Sequence, residues 1–426
     1  MGALAPMIVS GSTLGLGGAT AANERVALGW IGYGGQGSYL RWLFSERPGS
    51  EVLAVADVDA AHRAEFLKDT GKDLRTYNDY RRLLERRDID AVVIATPDHW
   101  HATHIIDSAQ AGKDVFCEKP LTLTIEEGKD CVRAIRAQGT VFQTGSMQRS
   151  DERFRKACEL VRNGYLGKIE RIETYIGGAP EGGMEPDTDP PPGLDWEQWL
   201  GQAPLVPYRT TRCHKEFRWW YAYSGGKMTD WGAHHNDIAQ WANGTERSGP
   251  VSIEGEATFP QPGGFDTATS FTVRFEYENA APVTCKSDGP NGVRFFGSEG
   301  ELFVSREEIQ STPPEIVQTE LKSSDTRLYH SDDHYVNFLD CIKTRKDPIC
   351  DVEIGHRSVT VCHLANIAIR LGRKIQWDPV KEEIVGDEEA AALTARHRRP
   401  GYELPRVRSG AGKRRSNQVK RQGYFG

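Results

Sequence analysis

The sequence of 426 residues predicts an α/β protein whose first half is a doubly wound parallel sheet. Three observations carry that prediction. The strand-like run Arg25 to Ile31 leads into Gly32-Tyr33-Gly34-Gly35-Gln36-Gly37 and then a helix-like segment, Ser38 to Phe44. A second strand, Glu51 to Ala56, ends in Asp57, 20 residues after Gly37. Strand-like and helix-like segments then keep alternating to about residue 149, the pattern of parallel strands joined by crossover helices.

Gly32, Gly34, Gly35, Gln36 and Gly37 fit a G-x-G-x-x-G turn. Its glycines let the backbone turn tightly, so that a pyrophosphate can approach a helix N-terminus. Alone the motif is weak. Between a strand and a helix, with Asp57 at the expected distance, it predicts a Rossmann domain over residues 24–149. Asp57 is expected to hydrogen-bond a ribose 2′-hydroxyl and to repel a 2′-phosphate, which favours NAD over NADP. A helix N-cap is the other reading of Asp57, and Asp59 is the better cap.

The alternation continues with helices Ala60 to Lys68 and Tyr77 to Glu85, then a buried strand, Ile89 to Ala95. That strand ends in Thr96-Pro97-Asp98-His99-Trp100-His101, read as a loop before helix Ala102 to Ala111. Thr96, Pro97 and His101 are expected near the cofactor. His99 and His101 are read as a loop residue and a surface residue rather than metal ligands, and no metal is expected. The strand Val115 to Cys117 stops at Glu118-Lys119-Pro120, because proline cannot continue a central ladder. Glu118 and Lys119 thus stand at a strand's carboxyl end, where ligands bind in open α/β sheets. Helix Ile125 to Ala137 and strand Val141 to Thr144 close the domain.

Helix Asp151 to Asn163 crosses into a second domain over residues 150–405, which begins with a strand, Lys168 to Gly177. A Pro- and Gly-rich loop, Gly178 to Gly193, precedes six tryptophans between positions 196 and 241. Core packing accounts for half of them; the others suit sugar-ring platforms. In Asp230-Trp-Gly-Ala-His234-His235-Asn-Asp237 the polar spacing i, i+4, i+7 would give Asp230, His234 and Asp237 one helical face. A cap at Asp230, a core histidine at His234 and a metal site are the competing readings. Short β segments run from Val251 to Val304, and helices Asp332 to Thr344 and Gly355 to Leu371 pack back.

The combination G-x-G-x-x-G, Ala-Thr-Pro-x-x-x-His and Glu-Lys-Pro resembles the glucose-fructose oxidoreductase, inositol dehydrogenase and rhizopine-catabolism family from about Val26 to Pro405. The resemblance implies a C-terminal α+β domain on a large, open, mostly antiparallel sheet, and a homo-oligomer formed through it. It implies a catalytic lysine at Lys119, often before a cis proline, and an Asp-x-x-x-His pair at Asp230 and His234. In that scheme His234 is the base, Asp230 orients it and Lys119 stabilises charge on the substrate oxygen. Arg149, Trp220, His235 and Asp237 are expected to touch the substrate, a sugar, glycoside or cyclitol. Alternatives are a glycoside hydrolase or eliminase that keeps its NAD, and a silent sugar-binding relative.

A net charge of -7 gives no reason to expect nucleic acid, and the 8 cysteines show neither disulfide framework nor metal spacing. Residues 1–23 are poor in charge and resemble the later half of a twin-arginine signal lacking its Arg-Arg pair. Export follows if that pair lies upstream; otherwise the location is cytoplasmic. No membrane span is expected. The tail 406–426 is basic and expected to be solvated and disordered.

Overall fold

The computed structural model describes residues 25–408. The signal-like segment and all of the basic tail beyond Arg408 lie outside them. The first domain is a parallel sheet of six strands: β1 (Val26–Ile31), β2 (Ser50–Ala56), β3 (Arg75–Tyr77), β4 (Ala91–Ile94), β5 (Asp114–Cys117) and β6 (Phe142–Thr144). Their order is β3-β2-β1-β4-β5-β6. Helices α1 (Gly35–Ser45), α2 (Ala60–Thr70), α3 (Tyr80–Leu84), α4 (Asp98–Gln110) and α5 (Ile125–Gln138) link them. β4 and β5 are buried along their whole length, as strands covered on both faces must be. The order reverses between β1 and β4, so a crevice opens at the carboxyl ends of these two strands.

Two boundaries differ from expectation. Tyr77 lies in the edge strand β3, not in a helix: Arg75, Thr76 and Tyr77 pair with β2. Asp79 then caps the short α3 by accepting from Arg81 N–H. Helix α4 starts at Asp98, four residues earlier than expected, with Pro97 at its N-cap. His99, Trp100 and His101 are therefore buried helix residues, not loop or surface residues. Asp59 caps α2, as its position suggested.

The second domain carries α6 (Glu152–Arg162), β7 (Ile169–Tyr175), α7 (Trp196–Leu200), α8 (Lys227–Asp230) and α9 (Gly232–Asn243). Next come β8 (Ser252–Thr258), β9 (Ser270–Glu276), β10 (Val283–Lys286), β11 (Gly292–Gly297), β12 (Gly300–Val304) and β13 (Ile309–Thr312). The chain ends with α10 (Glu315–Gln318), α11 (His334–Thr344), α12 (Val352–Leu371), β14 (Ile375–Asp378), β15 (Glu383–Ile384) and α13 (Glu388–Ala392). Nine strands form the sheet β13-β12-β11-β7-β10-β9-β8-β14-β15, antiparallel except at β7–β10. Alternate residues of β9 are buried, among them Phe271, Val273 and Phe275, so one sheet face packs on the core shared with α9 and α12.

The two domains are knitted together. Phe338 and Leu339 of α11 enter the first domain's core beside Phe44 and Phe116, and Val352 and Val359 of α12 enter beside Leu121 and Cys131. All eight cysteines are buried and unbridged. Among the described residues no helix is long and apolar enough to cross a membrane.

Candidate active site

The crevice is a cleft of about 450 Å³ along the carboxyl ends of the parallel strands. Its floor is the glycine turn. Gly32 has φ +89°, and a Cβ there would lie 2.8 Å from the backbone of Ala95 and Thr96. A Cβ on Gly37 would lie 2.4 Å from Gly32 O, so a side chain at either position would push the turn off the sheet. Gly35 faces open space, with nothing within 4 Å of an added Cβ. The free N–H groups of the first turn of α1 border that space, which suits a pyrophosphate. Gln36 Nε2 donates to Glu118 Oε1 at 3.0 Å and ties the turn to the end of β5. Thr96 and Pro97 line the same cleft.

Asp57 follows β2 directly and is fixed from three sides. Its Oδ2 accepts from Tyr33 N–H at 2.6 Å and lies 3.2 Å from His62 Nδ1, and its Oδ1 accepts from Asp59 N–H at 2.8 Å. The carboxylate therefore braces the glycine turn and also presents charge to the adenosine end of the cleft. The residues present fit NAD: an open glycine cradle, a helix N-terminus and a strand-end acid.

Lys119 and Asp230 meet at the other end of the cleft. Lys119 sits before a cis proline at the end of β5. Its Nζ donates to Asp230 Oδ1 at 2.6 Å and to Asp230 O at 3.2 Å. Arg218 Nε lies 3.8 Å from the same Oδ1. Burial opposes ionisation of Asp230, but Lys119 and then Arg218 outweigh it and hold its pKa below the usual carboxylate range. His234, one turn further on, is 5% exposed, and its Nδ1 has no hydrogen-bond partner. Burial, and then the nearby Lys119 charge, keep it neutral to well below the ordinary histidine range. Asp230 is thus the partner of Lys119, and the expected orientation of the His234 ring by Asp230 is absent. Trp231 joins α8 to α9 with right-handed helical φ and ψ; its N–H donates to Lys227 O and its C=O accepts from His235 N–H, so the helical path runs on from Asp230 to His234.

Several expected substrate contacts are turned inward instead. Arg149 Nε and Nη2 donate to Asp237 Oδ2 and Oδ1 at 2.7 and 2.8 Å, with side chains 1% and 2% exposed. The pair is buried, and neither residue lines the cleft. His235 is held between Gln148 Nε2 at 3.3 Å and Asn291 Oδ1 at 2.8 Å. Trp220 is buried in an aromatic cluster and donates to Thr211 O at 2.6 Å. His101 lies behind the cleft wall, 2.8 Å from Pro120 O and 2.9 Å from Thr96 O, so it braces the two loops rather than touching a cofactor. Of the six tryptophans, Trp199, Trp220 and Trp241 are buried, and Trp196, Trp219 and Trp231 are partly exposed.

The cleft also has walls that the sequence did not single out. Asp98 is buried at the start of α4 and takes a short hydrogen bond from Ser224 Oγ. Burial pushes its pKa up to about 7. Burial likewise raises Glu118. Proximity of Asp98 to the Thr96-Pro97 pair was the available signal, hidden by reading it as a loop. On the adenosine side, Asp59, His62 and His214 have ligand-capable atoms within 4.8 Å of one another. His62 faces Asp57 and His214 Nε2 faces Asp59 Oδ2 at 3.4 Å, so each ring is matched to a carboxylate without a cation. His214 comes from a stretch with no sequence motif.

Comparison with known proteins agrees along most of the chain. The family described as "Oxidoreductase family, NAD-binding Rossmann fold" matches residues 26–146, and "Oxidoreductase family, C-terminal alpha/beta domain" matches residues 181–404. The chain is 26% identical over 378 residues to the scyllo-inositol 2-dehydrogenase (NAD(+)) of Bacillus subtilis, covering 85% of this chain and 97% of the relative. It is 23% identical over 354 residues to the myo-inositol 2-dehydrogenase of Thermotoga maritima, covering 79% and 92%. Its fold is similar to the aldose-aldose oxidoreductase of Caulobacter crescentus crystallised with glycerol, with a TM-score of 0.62 and 19% identity over 83% of this chain and 99% of that one.

Proposed function

The chain belongs to the oxidoreductase family that joins an NAD-binding Rossmann domain to a C-terminal α/β domain, and we propose that it moves a hydride between NAD and a secondary hydroxyl of a sugar, glycoside or cyclitol. The observation that carries this reading is the Lys119–Asp230 pair at the closed end of the cofactor cleft. An ammonium has three N–H donors. Two are used on Asp230, which leaves the third to donate to the oxygen of the reacting hydroxyl. Held in place by Asp230, Lys119 favours the alkoxide character that develops on that oxygen. His234 is neutral and stands beside Lys119, so it is suited to take the hydroxyl proton. Bound NAD supplies the hydride acceptor. The names of the inositol dehydrogenase relatives support a polyol as substrate.

Asp57 supports NAD over NADP, because a 2′-phosphate would meet a carboxylate already fixed by two backbone N–H groups. Assembly into a homo-oligomer through the open face of the nine-stranded sheet belongs to the same proposal, and a light-scattering mass checks it. The direct test is to denature the purified protein, identify the released nucleotide, and follow NADH formation with a panel of sugars and cyclitols. Released or added NAD with NADH formed on a polyol supports the reading. A glycoside cleaved without net NADH points instead to a retained-cofactor hydrolase.

A further inference from the structure

Trp231 lies between Asp230 and the His234 turn, and two cations lean on its ring. Arg306, in the loop after β12, has its guanidinium carbon 4.5 Å from the ring centroid. Lys227, the first residue of α8, has its Nζ 5.8 Å from the same centroid. Both side chains are partly buried. Among the described residues neither makes a hydrogen bond or an ion pair, and Arg306 Nε is fully buried with no acceptor. The other cations here are paired: Lys119 and Arg218 face Asp230, and Arg149 faces Asp237.

A ring face attracts a cation but offers no conventional acceptor for five guanidinium and three ammonium N–H donors. One of these donors, Arg306 Nε, is buried with no acceptor, which is costly, and a ligand oxygen would supply the missing partner. The local charge points the same way. Lys119, Arg218, Lys227 and Arg306 all act on a centre whose one carboxylate held below its usual range is Asp230; burial raises Asp98 and Glu118. Arg306 feels Glu307 and then Asp230, Asp151 and Glu118, and acts in turn on His234.

We propose that Lys227 and Arg306, seated against Trp231, bind an anionic group of the substrate, a carboxylate or a phosphate, so that the preferred substrates are acidic sugars rather than neutral ones. This rests on the dehydrogenase reading above for the identity of the reaction, though not for the binding of the anion. The guanidinium fork suits two oxygens of one anion, and the ammonium adds a point charge.

The test compares NADH formation by the holoenzyme on matched probes: glucose, glucuronate and glucose 6-phosphate at one ionic strength. Wild type is expected to favour at least one acidic probe over glucose by 10-fold or more in kcat/KM. R306Q and K227M should each erase most of that ratio through KM, and R306K should restore part of it. Thermal melting confirms that the variants fold. Preference for glucuronate alone assigns a carboxylate, and for glucose 6-phosphate alone a phosphate; either supports the proposal. Equal or better use of glucose, or variants that leave the ratio intact, overturns it. If no probe yields NADH, the dehydrogenase reading is what fails. Calorimetric titration with glucuronate, glucose 6-phosphate and inorganic phosphate then decides the anion site: binding to wild type lost in R306Q sustains it, and no binding to wild type overturns it.

Discussion

Lys119 Nζ lies 2.6 Å from Asp230 Oδ1, although 111 residues separate the two and they come from different domains. The pair closes the cofactor cleft and ties the end of β5 to α8. Its existence changes what Asp230 does: the carboxylate sets the direction of the lysine, not the tautomer of His234.

Asp230→Ala is therefore expected to disorder Lys119 rather than His234. Turnover should fall by ~10²-fold or more, as when an electrostatic partner of a developing oxyanion is lost. Adding Lys119→Ala should cost little further, because the pair acts as a unit. Steady-state kinetics of the two single variants and the double variant check this; additive losses would mean independent roles.

His234 sets the acid side of the pH profile. Its pKa is lowered by burial and by Lys119, so the native ring stays unprotonated below pH 6.5. The acid limb of kcat/KM for alcohol oxidation should fall below pH 6.5. The sign for stability follows: below 6.5 the unfolded chain binds a proton that the native ring refuses, so stability is lost as pH falls toward the lowered native pKa. Melting temperatures of wild type and His234→Gln between pH 5 and 8 should converge at the acid end.

Asp98 has the opposite sign. Burial raises it from 3.8 to about 7. Between those values the native state holds a proton that the unfolded chain has released, so stability is lost as pH rises through that window. Asp98→Asn should be less sensitive to pH over it, with a difference on the order of 3 kcal/mol across the range. Denaturant unfolding at pH 4.5 and pH 7.5 measures it.

Asp57→Ala should narrow the preference for NAD and also destabilise the protein. Removal frees the buried Tyr33 N–H, at about 1–3 kcal/mol. Nucleotide titration and urea unfolding separate the two effects; a variant with unchanged stability would contradict the bracing role.

Arg149→Ala should unfold rather than misbind. It strands Asp237, 2% exposed, without its partner, a loss of about 3–5 kcal/mol. At a temperature where the variant is folded, its KM for substrate should match wild type. A selective rise in KM would restore Arg149 to the substrate's contacts.

How far the sequence could be read depends on whether a residue's meaning is local. Gly32 to Gly37, Asp57 and the stop at Pro120 are local signals, set by backbone geometry and strand ends, and from them the first domain and its cleft were legible. The second sheet's short alternating segments were legible as strands, and its arrangement came by family resemblance. What was not legible depends on partners distant in the chain. Arg149 and Asp237 are 88 residues apart and look like substrate ligands until they are seen paired and buried together. Asp230, His234 and Asp237 share a helical spacing, yet their partners differ: Lys119 donates to Asp230, Arg149 donates to Asp237, and His234 Nδ1 has no hydrogen-bond partner. Arg306 follows an ordinary strand and carries no motif; only its position against Trp231 distinguishes it.

The central claim is that Lys119 acts on the reacting hydroxyl and not on the cofactor's adenosine end. The direct measurement pairs NAD titration with NADH formation on a confirmed substrate for wild type and Lys119→Ala. The account predicts an NAD affinity within a few-fold of wild type and turnover reduced by ~10²–10³-fold or more. Near wild-type kcat in Lys119→Ala, or loss of NAD binding sufficient to explain the lost rate, would contradict it.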